Sequence, residues 1–458
     1  MSTRAAASLA TRAPVPSGWV WALLVLLDFV VLASTSRAPY LLAALCVACA
    51  LCWMLSAPYR ALAFVAFGLP LLDPVSASIG NSVPIGIYFA RGLLLAGVAL
   101  IAWRALWGDS SAARALSATA REPLLLATAV LALILAWGAL GSPSPSYGRA
   151  KTLLFVTINA TFLAVALVYL RGDAQTTTAR GVSFLRHVVG WNLAVALLAA
   201  ANDRLEFQPW SGRLQVLGLG PIWLARQMGF GLVALLGLRA IGAIGKGPTV
   251  FAALLFGIVF LRTESRGPAL AMVVAAAAWV ASSDGRLGRR AFVRGALVTG
   301  VAAVSGILLL FILAAERFGN LPFAGAAVSN FVRLRILAVA GEQITSVLGT
   351  GLGTGGFSAL ARAGDRRLYP HNLFLEVGLE NGLVGLLVLG TFLVLLWGRW
   401  RRARLEWRTR DRTRWSLTRV AMASALFALV AAQFSGDISG NDGIWLWAGA
   451  LAVWSARD

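Results

Sequence analysis

Long apolar runs joined by short basic turns restrict this chain to helices packed in a membrane. The runs lie near 18–33, 40–56, 59–72, 84–106, 123–140, 151–170, 185–201, 221–240, 248–263, 267–283, 292–314, 372–398, 415–435 and 441–455. In lipid every backbone N–H and C=O must be satisfied within the chain, and roughly 20 apolar residues do this as one spanning helix. Composition agrees: 59% of the 458 residues are hydrophobic and 13% are charged, too few charges for a water-soluble surface. We therefore expect an all-α, polytopic integral membrane protein with about twelve to fourteen transmembrane helices. The short runs 59–72 and 248–263 are expected to be shallow, broken or re-entrant. Residues 1–314 read as spans with short loops, 315–370 as one large outer loop, and 371–458 as C-terminal spans.

A formal charge of +21 would suggest nucleic acid in a soluble protein. Here the basic residues lie mostly in short loops, where topology and anionic membrane lipid account for them, so no nucleic-acid partner is expected. The arginine-rich stretch Arg399 to Arg414 marks the cytoplasmic side, and Arg286, Arg289, Arg290 and Arg294 agree with it two spans earlier. Counting back puts 104–122, 171–186 and the N-terminus on that side. The opposite, periplasmic side then holds 141–150, 202–220, 263–266, 315–370 and 436–440. Cys46, Cys49 and Cys52 fall within one apolar run and read as small core residues. The N-terminus reads as a cytoplasmic tail followed by a first span, since no convincing cleavage site follows its basic residues.

A loop as long as 315–370 is usually functional. Residues 327–347 carry apolar side chains at helical spacing with Arg333 and Arg335 among them, which predicts a helix on the outer surface. Gly349-Thr350-Gly351-Leu352-Gly353-Thr354-Gly355-Gly356 follows. Glycine runs can cradle phosphate, but no strand precedes and no lysine follows in a phosphate-loop pattern, so flexibility or close packing is the better reading.

At the end of that loop, Tyr369-Pro370-His371-Asn372 leads into an apolar run, with Asn372 placed to cap a helix. His371 can exchange a proton near neutral pH, although it could also simply anchor a helix at the headgroups. The second histidine, His187, sits at the cytoplasmic end of a span and reads as structural. Arg266, beside Gly267-Pro268 at a break between apolar runs, needs an anionic partner, either Glu264 or a ligand. Arg213 precedes a span on the same face. Arg91 lies inside an apolar run, where it either serves function or snorkels or pairs. Several arginines and a histidine at one face suit a phosphate-bearing lipid, because the guanidinium fork matches phosphate oxygens in pairs. No Asp-X-Asp pair, metal-ligand spacing or Walker A pattern is present, so neither a metal nor another cofactor is expected.

Arg266-Gly267, Arg335 on an amphipathic helix, Gly349-X-Gly351-X-Gly353, His371-Asn372-X-X-Leu375-Glu376 and Gly382-X-X-Gly385 together resemble the O-antigen ligase and polymerase superfamily. Gly212-Arg213-Leu214 resembles its other arginine site. The resemblance spans roughly residues 205–395; the first two hundred residues match only as a set of spans. It implies a membrane glycosyltransferase of the polyprenyl-phosphate-sugar (GT-C) type in the bacterial inner membrane, acting at the periplasmic face without metal. Its donor would be a glycan on undecaprenyl diphosphate. For a ligase the acceptor would be a sugar hydroxyl of lipid A–core. His371 would be the catalytic base and Arg213 and Arg266 would bind the diphosphate, with Arg335, Asn372 and Arg91 as further candidate substrate contacts. A repeat-unit polymerase, a protein O-oligosaccharyltransferase or, from a different class, a lipid-linked sugar flippase are the alternatives.

Overall fold

The computed structural model describes residues 57–68, 85–201, 206–207, 214–215, 220–282 and 324–456. The expected spans 18–33, 40–56 and 292–314, the three cysteines and Arg213 lie outside them. So do the side chains of Arg91 and Arg335, although the helices that carry them are described.

The described chain is helical apart from a two-residue antiparallel pairing, β1 Glu206–Phe207 with β2 Leu214–Gln215. In order come α1 Pro58–Ala63 with a π-helical turn Phe64–Gly68, α2 Ile85–Leu106, α3 Ser110–Ala120, α4 Pro123–Leu140, α5 Pro145–Tyr169 and α6 Ala174–Ala201. After the strands follow α7 Pro221–Ala240, α8 Lys246–Arg262, α9 Arg266–Ala281, α10 Ala324–Val347, the short α11 Phe357–Leu360, α12 Leu373–Arg410, α13 Arg412–Ala431 and α14 Asp442–Trp454. Five of these, α4, α5, α6, α7 and α12, are long and apolar enough to cross a membrane. Leu126, Leu133 and Trp137 on α4, Leu254 and Leu261 on α8, and Leu387 and Val394 on α12 are exposed. Water would penalise so much outward apolar surface, whereas lipid accepts it. At the centre α14 is buried almost throughout, with Trp445, Trp447 and Trp454 set against Phe155, Phe184 and Phe392.

Two polar ends emerge. At one, Glu122 accepts two bonds from Arg399, at 2.7 and 2.8 Å, and faces Arg171 at 3.7 Å. Arg419 of α13 stacks on Trp279 and bonds Ser282 just past α9. Loops 104–122 and 171–186 and the arginine-rich stretch therefore share one end, the grouping that charge asymmetry gave. At the other end, Asp365 accepts the N–H groups of Ser146 and Tyr147, at 2.9 and 2.8 Å, and closes the start of α5. Those two bonds hold its carboxyl below the usual range,.

Several boundaries differ from the expectation. The loop 104–122 contains α3, whose Ala112 N–H is capped by Asp109. The stretch 399–414 is not a loop: α12 continues to Arg410, and Asp411 caps α13. Trp407 and Trp415 bury against Ala403 there, with Arg414 over the Trp407 ring, so the arginines extend a helical hairpin rather than unwind it. α5 begins at Pro145 instead of 151, which carries Lys151 inside.

The helix expected in 327–347 is present as α10. The glycine run behind it is close packing, and its purpose is visible in α12. Gly382 interrupts α12 with φ +62. The freed carbonyls of Leu379 and Glu380 are taken by Leu352 N–H and Gly353 N–H, at 2.8 and 2.9 Å, and Leu383 N–H reaches Leu348 C=O. These amides are spent on α12, so they cannot cradle a phosphate. Gly353 has φ +84, and a Cβ there would lie 2.7 Å from the Gly138 carbonyl oxygen on α4.

Two predictions follow from this architecture. Gly353→Ala adds left-handed strain of about 1–3 kcal/mol plus a backbone clash, whereas Gly390→Ala, in open space on α12, stays neutral or stabilises. Thermal unfolding of the purified variants should show a lower midpoint for the first alone. In a background with the three native cysteines replaced, the exposed positions Arg366→Cys and Thr409→Cys should label oppositely with an impermeant maleimide. Equal labelling in outer-permeabilised cells would contradict the two-ended layout.

Candidate functional site

Pro370 is followed by His371 in the left-handed region, φ +57. A non-glycine residue there is strained. The turn lets the chain drop into α12, where the Asn372 side chain accepts the Leu375 N–H at 3.0 Å. Asn372 is therefore the expected cap, and its oxygen is committed to the helix. Tyr369 meets His371 edge to face, centroids 4.5 Å apart.

His371 lines an open cavity of about 320 Å³ with Ile222, Trp223, Arg226, Arg367, Tyr369, Ser435, Gly436 and Gly440. The wall is assembled from the start of α7, the segment leading into α12, and the turn between α13 and α14. Arg226 is buried, with Nη2 donating to Ser435 O and Oγ at 2.8 and 2.9 Å and Nη1 to Gly440 O at 3.4 Å. It also stacks on Trp223. Arg367, more than half exposed, donates Nε and Nη2 to Asp437, each at 3.2 Å.

Asp437 gathers the wall. Besides Arg367 it accepts Tyr147 Oη at 3.0 Å, Ser439 Oγ at 2.8 Å and Gly440 N–H at 2.9 Å. Burial raises the carboxyl, but Lys151 and Arg367 outweigh it, so the group is held below its ordinary range,. Tyr369 is shifted the other way, its phenol raised first by burial and then by Asp437.

Beneath this turn lies a fully buried ionic cluster. Lys151 of α5 contacts Glu376 and reaches Glu380 at 2.5 Å, both carboxylates projecting from α12 one turn apart,. Glu376 also accepts the Ile438 N–H at 3.1 Å. Asn159, in a π-helical turn of α5, donates to Ile438 C=O at 2.7 Å. The turn that forms the cavity wall is thus held by α5 and α12 together.

Arg266 starts α9 at the same end: a Cβ on Gly267 would meet Phe434 Cβ at 2.6 Å, one residue before Ser435 of the wall. It is exposed and lies outside the lining. Glu264, the alternative partner, is exposed at φ +50. Neither takes part in an ion pair among the described residues, so the local Glu264 pairing is not made. His187 is buried within α6, its Nδ1 2.7 Å from Ser183 O and its ring against Tyr59, as a structural histidine should be.

Arg226, Arg367, Asp437 and Lys151 join the site beyond the residues expected from the sequence. A signal existed for Arg226, an arginine within the apolar run 221–240, where intramembrane cations mark function. None existed for Lys151, whose partners Glu376 and Glu380 lie more than two hundred positions away, or for Asp437, on which Tyr147 and Arg367 converge from 290 and 70 positions away. Removing Lys151 tests the cluster. Lys151→Met leaves two buried carboxylates unpaired and should lower stability by about 3–5 kcal/mol; adding Glu380→Gln should restore part of it. Equal stability of wild type and Lys151→Met on thermal unfolding would remove the cluster from the scaffold. Set against known proteins, the chain matches no family model and no curated protein.

Proposed function

We propose that this protein is an O-antigen ligase-type glycosyltransferase, moving a glycan from undecaprenyl diphosphate to a sugar hydroxyl of lipid A–core. The observation that carries the reading is His371 on the wall of an open cavity that also presents two guanidiniums, at the end of the helix bundle where Arg266 starts α9. The motif resemblance supplies the reaction class.

The chemistry is a single inverting displacement. The acceptor hydroxyl attacks the anomeric carbon while the His371 imidazole takes its proton. The new C–O bond forms as the bond to the diphosphate breaks, and that electron pair leaves with the diphosphate. Arg266 and Arg213 neutralise the charge that builds on the leaving group. A strained turn held by Pro370 and the Asn372 cap suits a base that must stay aimed. The active site faces the periplasm of the bacterial inner membrane on this reading.

A repeat-unit polymerase and a protein O-oligosaccharyltransferase would use the same donor half, so acceptor choice separates them. A flippase is favoured less, because the site cations gather at one end rather than along a central passage.

The deciding experiment incubates purified protein with a lipid-linked glycan and separate lipid A–core, glycan and peptide acceptors. Mass gain on lipid A–core alone supports the ligase; gain on another acceptor moves the reading to that branch. His371→Ala should lose roughly two to four orders of magnitude in turnover, while His187→Asn keeps most of it. Arg266→Lys should fall at least about tenfold at saturating donor, since lysine lacks the fork. Activity should persist in excess EDTA; loss restored by Mg²⁺ would contradict arginine-only neutralisation.

A further inference from the structure

In an inverting displacement the nucleophile and the leaving group occupy opposite faces of the anomeric carbon. If His371 is the base, as proposed above, side chains sharing its wall face the acceptor, and the diphosphate lies away from them. Arg266, outside that wall, belongs to the leaving-group side. Arg367 belongs to the acceptor side, because it lines the cavity from the same approach segment as Tyr369 and His371.

Arg367 is set to bind an anion there. Asp437 takes Nε and Nη2, and Tyr147, Ser439 and the Gly440 N–H fix Asp437 in turn. The guanidinium plane is therefore held, while Nη1 has no hydrogen-bond partner among the described residues and the side chain is more than half exposed. Arg226, which lines the same cavity and donates to Gly440 O, adds a second guanidinium. No carboxylate is among the lining residues; Asp437 stands behind Arg367. Trp223 and Tyr369 line the same cavity, each carrying one of the two guanidiniums over its ring, and such aromatic–cation walls suit a ring bearing a charged substituent.

We propose that the acceptor is an anionic sugar, carrying a phosphate ester or a carboxylate beside the hydroxyl that is glycosylated, and that Arg367 recognises this group. Asp437 is a positioning residue for Arg367.

Three glycosides sharing the accepting hydroxyl test this: one neutral, one phosphorylated and one bearing a carboxylate. With wild-type protein and a lipid-linked donor, one anionic glycoside should exceed the neutral one in kcat/KM by at least about tenfold, mostly through KM, as a charge-assisted contact implies. Which anion is preferred identifies the group. Arg367→Gln, whose amide can still donate to Asp437, should lower kcat/KM for that anionic glycoside at least about tenfold more than for the neutral one, and Arg367→Lys should fall between. Equilibrium binding of the same glycosides without donor should rank them identically, so the test stands even if no transfer is seen. Geranylgeranyl diphosphate serves as the donor-side probe, and its binding should respond to Arg266→Lys rather than to Arg367→Gln. Equal use and equal binding of neutral and anionic glycosides would overturn the proposal. So would an Arg367→Gln defect confined to geranylgeranyl diphosphate. Absence of transfer by wild type, with anion-selective glycoside binding intact, would sink the glycosyltransferase reading and leave the anionic-sugar site standing.

Discussion

Everything at the candidate site depends on Lys151 lying between Glu376 and Glu380. A buried ammonium and two buried carboxylates are tolerable in an apolar bundle only while they hold one another. Their geometry pins α5 to the first turns of α12. Glu376 also reaches the Ile438 amide, so the same cluster fixes the turn between α13 and α14. One side of the cavity is that turn, and another is the residue run that enters α12. A displacement of Lys151 would thus move both walls of the site at once.

The break in α12 follows the same logic. A helix interrupted in lipid must find new partners for its freed carbonyls. The glycine loop after α10 supplies them, and it can do so only because glycine allows the backbones to approach,. The loop is then a strap that joins α10, α4 and α12. Of the two readings of this glycine run, flexibility or close packing, close packing is the one realised, and a rigid scaffold is what a base and its neighbouring cations need to keep their spacing,.

Arginine serves three different ends in this chain. Arg399, Arg171 and Arg419 fasten helix ends opposite the cavity through Glu122, Trp279 and Ser282. Arg226 is structural and electrostatic together, because it gives its amino groups to backbone carbonyls while it contributes charge to the wall. Arg266 and Arg367 stay exposed. Under the proposed reaction, these two divide between leaving group and acceptor, the separation that an in-line displacement requires.

Much of the architecture was legible in the sequence, because hydrophobic run length and the sidedness of arginine report directly on burial in lipid. The grouping of 104–122, 171–186 and 399–414 at one end, a helix over 327–347 (observed from Ala324) and the Asn372 cap are local or compositional properties, and the structure keeps them. His371 was also legible, as a scarce titratable residue behind proline at a helix start. What the sequence could not disclose were pairings across the chain. Lys151 looked like a boundary residue, since nothing near it in sequence announces Glu376 or Glu380. Asp437 was one acid in a short turn until Tyr147 and Arg367 converged on it. Glu264 sat two residues from Arg266 and was a natural partner, yet the left-handed turn at Glu264 leaves both exposed and unpaired with each other. Local chemistry decides which residues are able to act; which of them face one another is decided only when distant helices close on the same few ångströms.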